Sequence, residues 1–258
     1  MKFSCCIDMM FPHMDFYDRF FAVKKAGLSA VEFWKWSPKD IDRVKSLLSE
    51  HDLALSVMNI DVSDEKLSYD LSRGILNAGR SSELCAAIKE SAPVVRKLGN
   101  PKLIVLIGET IEGMEVSRQE ENVFSCLKEG AKVAEAEGVH LVVEPLNAYD
   151  RKNYFMPDSN RLFEILRGVG SENVKALFDI YHQQKTEGNV IERIEENIDL
   201  IGHFHVADNP GRHEPGTGEI NYKNVLAKIA SLPYLGYVGL EYRATKSDEE
   251  TLGFTKEV

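Results

Sequence analysis

Short apolar runs of strand length alternate along the whole chain with longer stretches of helical periodicity, and this alternation predicts repeated βα units. Eight runs stand out: FSCCID at 3–8, AVEFW at 30–34, LALSVMN at 53–59, KLIVLIG at 102–108, HLVVEPL at 140–146, VKALFDI at 174–180, IGHFHVA at 201–207 and YVGLEYR at 237–243. Between them lie amphipathic segments such as DFYDRFFAVKKAG, SPKDIDRVKSLLSEHD, SSELCAAIKESAPVVRKLGN, ENVFSCLKEGAKVAEAEG, SNRLFEILRGVG and NVIERIEENID. Several end on Gly or Asn, the residues that close helices in a left-handed turn. Runs apolar on both faces belong to parallel strands covered by helices. Eight of them predict a closed eight-stranded parallel β/α (TIM) barrel, a single domain over residues 1–258, rather than an open doubly wound sheet. The least regular segment, DVSDEKLSYDLSRGILN at 61–77, follows the third run and is expected as a long βα loop serving as a lid or an interface.

Four late runs each finish on a metal-competent side chain: LVVEPLN, ALFDIYH, IGHFHVADN and YVGLEYR, with Glu144, Asp179, His205 and Glu241. In a β/α barrel the strand ends gather at the catalytic face, and neighbouring strands lie about 5 Å apart, so the ends of strands five to eight can reach one ion. Three carboxylates and an imidazole suit Mg²⁺, Mn²⁺, Co²⁺ or a catalytic Zn²⁺ rather than a closed structural zinc site. A lone acid at a strand end is more often a helix cap or an ion-pair partner; the joint placement of four argues for a site. Glu144 and Glu241 interrupt apolar runs, where an unpaired carboxylate is costly, and each needs a cation, a hydrogen-bond network or a raised pKa. His203 and His205, two apart, share one strand face, with one of them a ligand or a packed histidine. The FWKW cluster, Phe33 to Trp36, either walls a pocket or packs in the core.

Charge and cysteine usage narrow the partners. Thirty-one Lys and Arg against 41 Asp and Glu give a net charge of −10, which opposes binding to nucleic-acid phosphates or anionic lipid and favours small substrates. Cys5, Cys6, Cys85 and Cys126 lack CxxC spacing, which points to a reduced, cytoplasmic compartment. The opening MKFSCCIDMMF has no long apolar stretch and reads as neither a signal peptide nor a membrane span.

The stretch VADNPGRHEPGTGEINY, Val206 to Tyr222, with VEPLN before it and GYVGLEY after it, resembles the hydroxypyruvate isomerase family of xylose isomerase-like barrels, a group that also holds ketose 3-epimerases and a class of DNA repair endonucleases. The resemblance implies one divalent ion on Glu144, Asp179, His205 and Glu241, with Mg²⁺ or Mn²⁺ foremost. It implies substrate binding by His182 and Arg212, and Glu144 and Glu241 as the acid–base pair. The implied reaction interconverts hydroxypyruvate and tartronate semialdehyde through an enediolate, in a homo-oligomer. Some hydroxypyruvate isomerases carry Gln where His205 stands, and His205 resembles the 3-epimerases, so a ketose 3-epimerase is the alternative. A DNA repair nuclease would need further metal ligands and a basic groove, and a non-catalytic sugar-binding barrel would keep the ion as structure. Arg212 has a competing role as a surface partner of Asp208 or Glu214, and Glu219 either orients a ligand or starts the helix before INYKNV.

Overall fold

The computed structural model describes residues 1–76 and 80–256. All eight apolar runs form strands: β1 Lys2–Cys6, β2 Ala30–Phe33, β3 Ala54–Asn59, β4 Lys102–Leu106, β5 Leu141–Glu144, β6 Val174–Asp179, β7 Ile201–Val206 and β8 Tyr237–Leu240. Each pairs in parallel with the next, and β1 closes onto β8 in the register Lys2↔Tyr237 to Cys5↔Leu240, giving a closed eight-stranded barrel. The covering helices are α1 Arg19–Lys25, α2 Ile41–Glu50, α3 Glu65–Arg73, α4 Arg80–Lys97, α5 Val116–Glu137, α6 Ser159–Val169, α7 Ile180–Thr186, α8 Val190–Asn197, α9 Tyr222–Ser231 and α10 Asp248–Thr251.

Strand alternation sorts the apolar side chains into two cores. Leu103 and Val105 of β4 join Leu141 and Val143 of β5 in the large cluster shared with the helices, where Leu84, Leu127, Phe163 and Leu226 also pack. The intervening Ile104 and Val142, partners in register, belong with Val57 and Leu177 to a separate small cluster. Because successive strand side chains point to opposite faces, that small cluster fills the barrel's interior along β3 to β6. The opposite side of the interior is polar. Glu32 of β2 hydrogen-bonds to His203 and His205 of β7, and since β2 and β7 are not sheet neighbours these groups meet through the lumen.

Two stretches depart from the expectation. Within 61–77, residues Glu65–Arg73 form α3, capped by Asp64, whose carboxylate accepts from the Leu67 N–H. Only Leu67 and Leu71 supply the helix with large aliphatic side chains, too few to show as a periodic run. The segment is fastened to the barrel by Ile75 N–H to Leu106 O and Leu76 N–H to Ile107 O, and Asn77 lies outside the described residues. Gly74, at φ 119°, approaches so closely that a Cβ there would sit 2.3 Å from the Gly108 nitrogen. At β6, Ile180 opens helix α7 with no intervening loop, so the strand ends on Asp179.

The apolar interior yields a stability prediction. Leu177 is fully buried, and Leu177→Ala should lower the unfolding free energy by about 2–5 kcal/mol, seen as a lower urea midpoint. A midpoint unchanged from the parent would show that the Leu177 side chain is not packed inside the barrel.

Candidate active site

The four sequence-predicted ligands converge at the carboxyl ends of β5 to β8. One donor atom from each of Glu144, Asp179, His205 and Glu241 lies within 4.8 Å of the others, and all four residues are buried. His205 Nδ1 is 3.4 Å from Glu241 Oε2 and 3.8 Å from Glu144 Oε1.

Each side chain is placed by a local device. The buried Tyr154 hydroxyl donates to Glu144 O and accepts from the Ile107 N–H, both at 2.8 Å, tying the ends of β4 and β5 together. Asp179 divides its two oxygens: Oδ1 caps α7 by accepting from the Tyr181 and His182 N–H groups, at 2.9 and 3.2 Å, and Oδ2 is left for the site. His205 is anchored at Nε2, 2.9 Å from Glu32 Oε2, which leaves Nδ1 facing the cluster. Glu241 follows β8 directly; its Oε1 accepts from Trp34 Nε1 at 3.0 Å and its Oε2 from an Arg212 amino group.

The donor set fits a divalent cation. Asp179 Oδ2 and His205 Nδ1 are buried with no hydrogen-bond partner, in a fold where buried polar atoms are almost always satisfied. Octahedral ligands at about 2.1 Å from an ion stand about 3–4.2 Å apart, the scale of this cluster. Three carboxylates against the single guanidinium of Arg212 leave a negative balance that a divalent ion offsets. Burial pushes Asp179 above the usual carboxylate range, even against the pull of Arg212 and His205. Burial likewise opposes ionisation of Glu241, but His205 and Arg212 outweigh it and hold that carboxyl low. For His205, burial favours the neutral ring and the carboxylates of Glu241 and Glu32 overturn this, raising it well above the ordinary imidazole range. An ion binding at Nδ1 therefore displaces a proton.

His182 and Arg212, predicted to bind substrate, both border the same cavity, of about 270 Å³. The backbone N–H of Asn147 donates to His182 Nδ1 at 3.1 Å, so the neutral ring carries its proton on Nε2, a buried atom with no partner and 3.6 Å from Asp179 Oδ2. Burial, reinforced by the Arg212 charge, lowers His182 to about 4 and keeps it neutral at physiological pH. Arg212 is no surface arginine: it pairs with Glu241 and lies 3.6 Å from Asp179 Oδ2. Its alternative partners are occupied elsewhere, Asp208 by the N–H groups of Asn209, Gly216 and Ile220, and Glu214 by Thr245. The backbone of Arg212 is left-handed, at φ 57°, in the turn that brings the guanidinium over the site. Ile104, Leu106 and Leu146 give the cavity an apolar wall.

Other expectations resolve by position. Trp34 lines the cavity and donates to Glu241, whereas Trp36 is buried and donates to Ser91 Oγ at 3.2 Å, so FWKW serves both site and core. His203 points inward beside His205 but its Nε2 bonds Glu32, making it a packed, hydrogen-bonded histidine. Glu219 neither orients a ligand nor starts a helix: it is exposed, accepts from Asn209 Nδ2 at 2.7 Å and braces its own loop, and Asn221 caps α9. Two groups were absent from the sequence-predicted site. Asn147 was passed over inside VEPLN, and Glu32 carries the same signal as Glu144 and Glu241, a carboxylate inside an apolar run.

The described residues contain four free cysteines and no helix long and apolar enough to cross a membrane. Residues 20–258 match the family model of the xylose isomerase-like TIM barrel. The chain is 32% identical over 253 residues to hydroxypyruvate isomerase of Escherichia coli, covering 98% of this chain and 97% of that protein. It is 30% identical over 256 residues to 2-oxo-tetronate isomerase of Cupriavidus necator, covering 99% and 97%. Among solved structures, a Brucella melitensis protein described as an AP endonuclease of family 2 superposes with a TM-score of 0.90 at 28% identity, over 99% of this chain and 98% of that one. The chain thus belongs to the xylose isomerase-like TIM barrel family of enzymes, beside full-length relatives named as isomerases.

Proposed function

We propose that this enzyme is a metal-dependent isomerase of short hydroxycarbonyl acids that interconverts hydroxypyruvate and tartronate semialdehyde. The observation carrying the reading is one small cavity bordered by two buried strand-end glutamates, a neutral imidazole donor and a guanidinium, beside a donor cluster within 4.8 Å. The 32% identity to a hydroxypyruvate isomerase supports the same substrate class.

The reaction moves a proton between adjacent carbons. One glutamate of the pair Glu144 and Glu241 takes the proton from the hydroxyl-bearing carbon, and the electron pair shifts onto the neighbouring carbonyl oxygen to give an enediolate. The hydroxyl proton passes from the first oxygen to the former carbonyl oxygen, and return of the carbon-bound proton to the former carbonyl carbon leaves the aldehyde, with no net gain or loss of atoms. Glu144, Asp179, His205 and Glu241 would hold a divalent ion, which when bound would supply the electrophile for the carbonyl and the charge that offsets the enediolate. His182, with its proton fixed on Nε2 by Asn147, donates to a substrate oxygen without carrying a charge of its own. Arg212 presents a fork suited to the substrate carboxylate, and its pairing with Glu241 holds that fork at the cavity.

The alternative, a ketose 3-epimerase, draws on His205 in the strand-seven position. Asn59, Asp150 and Arg151 also border the cavity beside Ile104, Leu106 and Leu146 and can serve either substrate, so its size decides for the shorter one. A cavity of about 270 Å³ sits near the lower end of ligand pockets, of order 300–1,000 Å³, and suits a three- or four-carbon acid. The net charge of −10 and the single four-donor set among the described residues speak for a small acid over a nucleic-acid substrate.

Solvent isotope exchange separates these readings. With Mn²⁺ in D₂O, the protein should incorporate deuterium into hydroxypyruvate and tartronate semialdehyde, and Glu144→Gln or Glu241→Gln at saturating Mn²⁺ should lower the rate about 100- to 10,000-fold with the far-ultraviolet circular dichroism unchanged. Exchange into ketoses alone would transfer the assignment to the epimerase, and near-normal turnover in either variant would remove that glutamate from the pair. Arg212→Ala should raise KM for hydroxypyruvate about 10- to 100-fold, the value of a hydrogen-bonded charge pair, with partial recovery on adding guanidinium ion. An unaltered KM would place the substrate carboxylate elsewhere.

A further inference from the structure

We propose that Glu32 is a positioning residue that, from the opposite side of the barrel, holds the Nε2 proton of His205 and so presents the Nδ1 lone pair to the ion. The role rests on the metal-dependent reading above and adds to it a residue outside the ligand set.

Glu32 sits in the middle of β2 and is 2% exposed. Its carboxylate is saturated by donors: Oε2 is 2.9 Å from His205 Nε2, and Oε1 is 2.9 Å from His203 Nε2, accepts from Ser56 Oγ at 3.0 Å and accepts from Ser4 Oγ. These partners come from β1, β3 and β7, so the group is tied to three other strands. A carboxylate gripped by four donors does not rotate freely, and it fixes the two imidazoles it faces. The rings of His203 and His205 meet edge to face at 5.1 Å and 86°.

The seat is also built from β8. Gly239 is in register with both Ser4 and His205, and a Cβ there would lie 2.4 and 2.7 Å from the Glu32 oxygens and 2.7 Å from His205 Cδ2. The carboxylate–imidazole pair therefore occupies the space that any larger residue on β8 would fill. Glu32, His203 and His205 also carry the donor types of an ion site of their own. Both Nε2 atoms, however, already stand at hydrogen-bond distance from separate carboxylate oxygens, whereas His205 Nδ1 is buried and unpartnered on the side of Glu144 and Glu241. The geometry orders the three groups as carboxylate, imidazole, ion, an arrangement in which the outer carboxylate sets ring orientation and tautomer.

The Glu32→Gln variant keeps the shape and removes one acceptor. Its amide NH₂ faces an imidazole nitrogen that was a donor, so that ring must either flip its tautomer or lose the bond. Mn²⁺ dissociation constants, read from the paramagnetic resonance of free Mn²⁺, should weaken about 10- to 100-fold in Glu32→Gln, with kcat at saturating Mn²⁺ largely restored and Glu32→Asp intermediate. Long-range ¹H–¹⁵N imidazole spectra of the unaltered, Zn²⁺-loaded protein supply a readout that does not depend on a variant folding: His205 should carry its proton on Nε2 and its metal on Nδ1. Ligation through Nε2, or Mn²⁺ affinity in Glu32→Gln within twofold of the parent, would overturn the role of Glu32 alone. Failure of the unaltered protein to bind Mn²⁺ would overturn the proposed reaction and this role together.

Discussion

Three carboxylates buried within a few ångströms of one another impose the constraint around which this barrel is organised. Glu144, Asp179 and Glu241 each lose hydration at the strand ends, and like charges that close in a low-dielectric site repel strongly unless cations share the space. Arg212 supplies one positive group, and it reaches the site only through a left-handed turn that most residues avoid. On the proposed reading the remaining compensation falls to an ion, and the unpartnered Asp179 Oδ2 and His205 Nδ1 mark where its bonds would go. The apolar side of the lumen, built from Val57, Ile104, Val142 and Leu177, keeps water from relaxing that arrangement and gives the opposite, polar side a rigid backing.

The same constraint accounts for the division of labour within single residues. Asp179 caps a helix with one oxygen and leaves the other unpartnered beside the donor cluster, so the cap expected of a strand-end acid does not preclude a ligand role. Helix α7 begins without a loop because that cap is the last strand residue, and its third position delivers His182 to the cavity. Burial and the Arg212 charge keep His182 neutral and Asn147 sets its tautomer, whereas His205 is drawn toward the charged form by carboxylates on both sides. Two buried histidines of one barrel mouth are thus set to opposite protonation by their neighbours.

Much of this was legible in the amino-acid order, for a physical reason. Parallel strands covered on both faces are apolar throughout, so all eight stood out, and a carboxylate ending such a run is conspicuous because burying it is costly. What escaped were features whose local pattern is weak or does not show what they meet. Glu32 meets His203 and His205 across 171 and 173 residues, through the lumen, and no spacing rule reaches that far. It also lies mid-strand rather than at a strand end, away from the mouth where the strand-end carboxylates gather. Helix α3 has too little apolar periodicity to separate from a loop, and its attachment to β4 is made by backbone hydrogen bonds that no side chain announces. Glu219 was overread because a glutamate ahead of a helix resembles a capping residue, and the actual cap, Asn221, lies two positions on.

The central claim is that side chains from four consecutive strands share one cation. Anomalous diffraction from crystals grown with Mn²⁺, recorded near the manganese edge, tests it most directly. The account predicts a single strong peak bonded to Glu144, Asp179, His205 Nδ1 and Glu241; a peak elsewhere, or none at the carboxyl ends of β5 to β8, would contradict it.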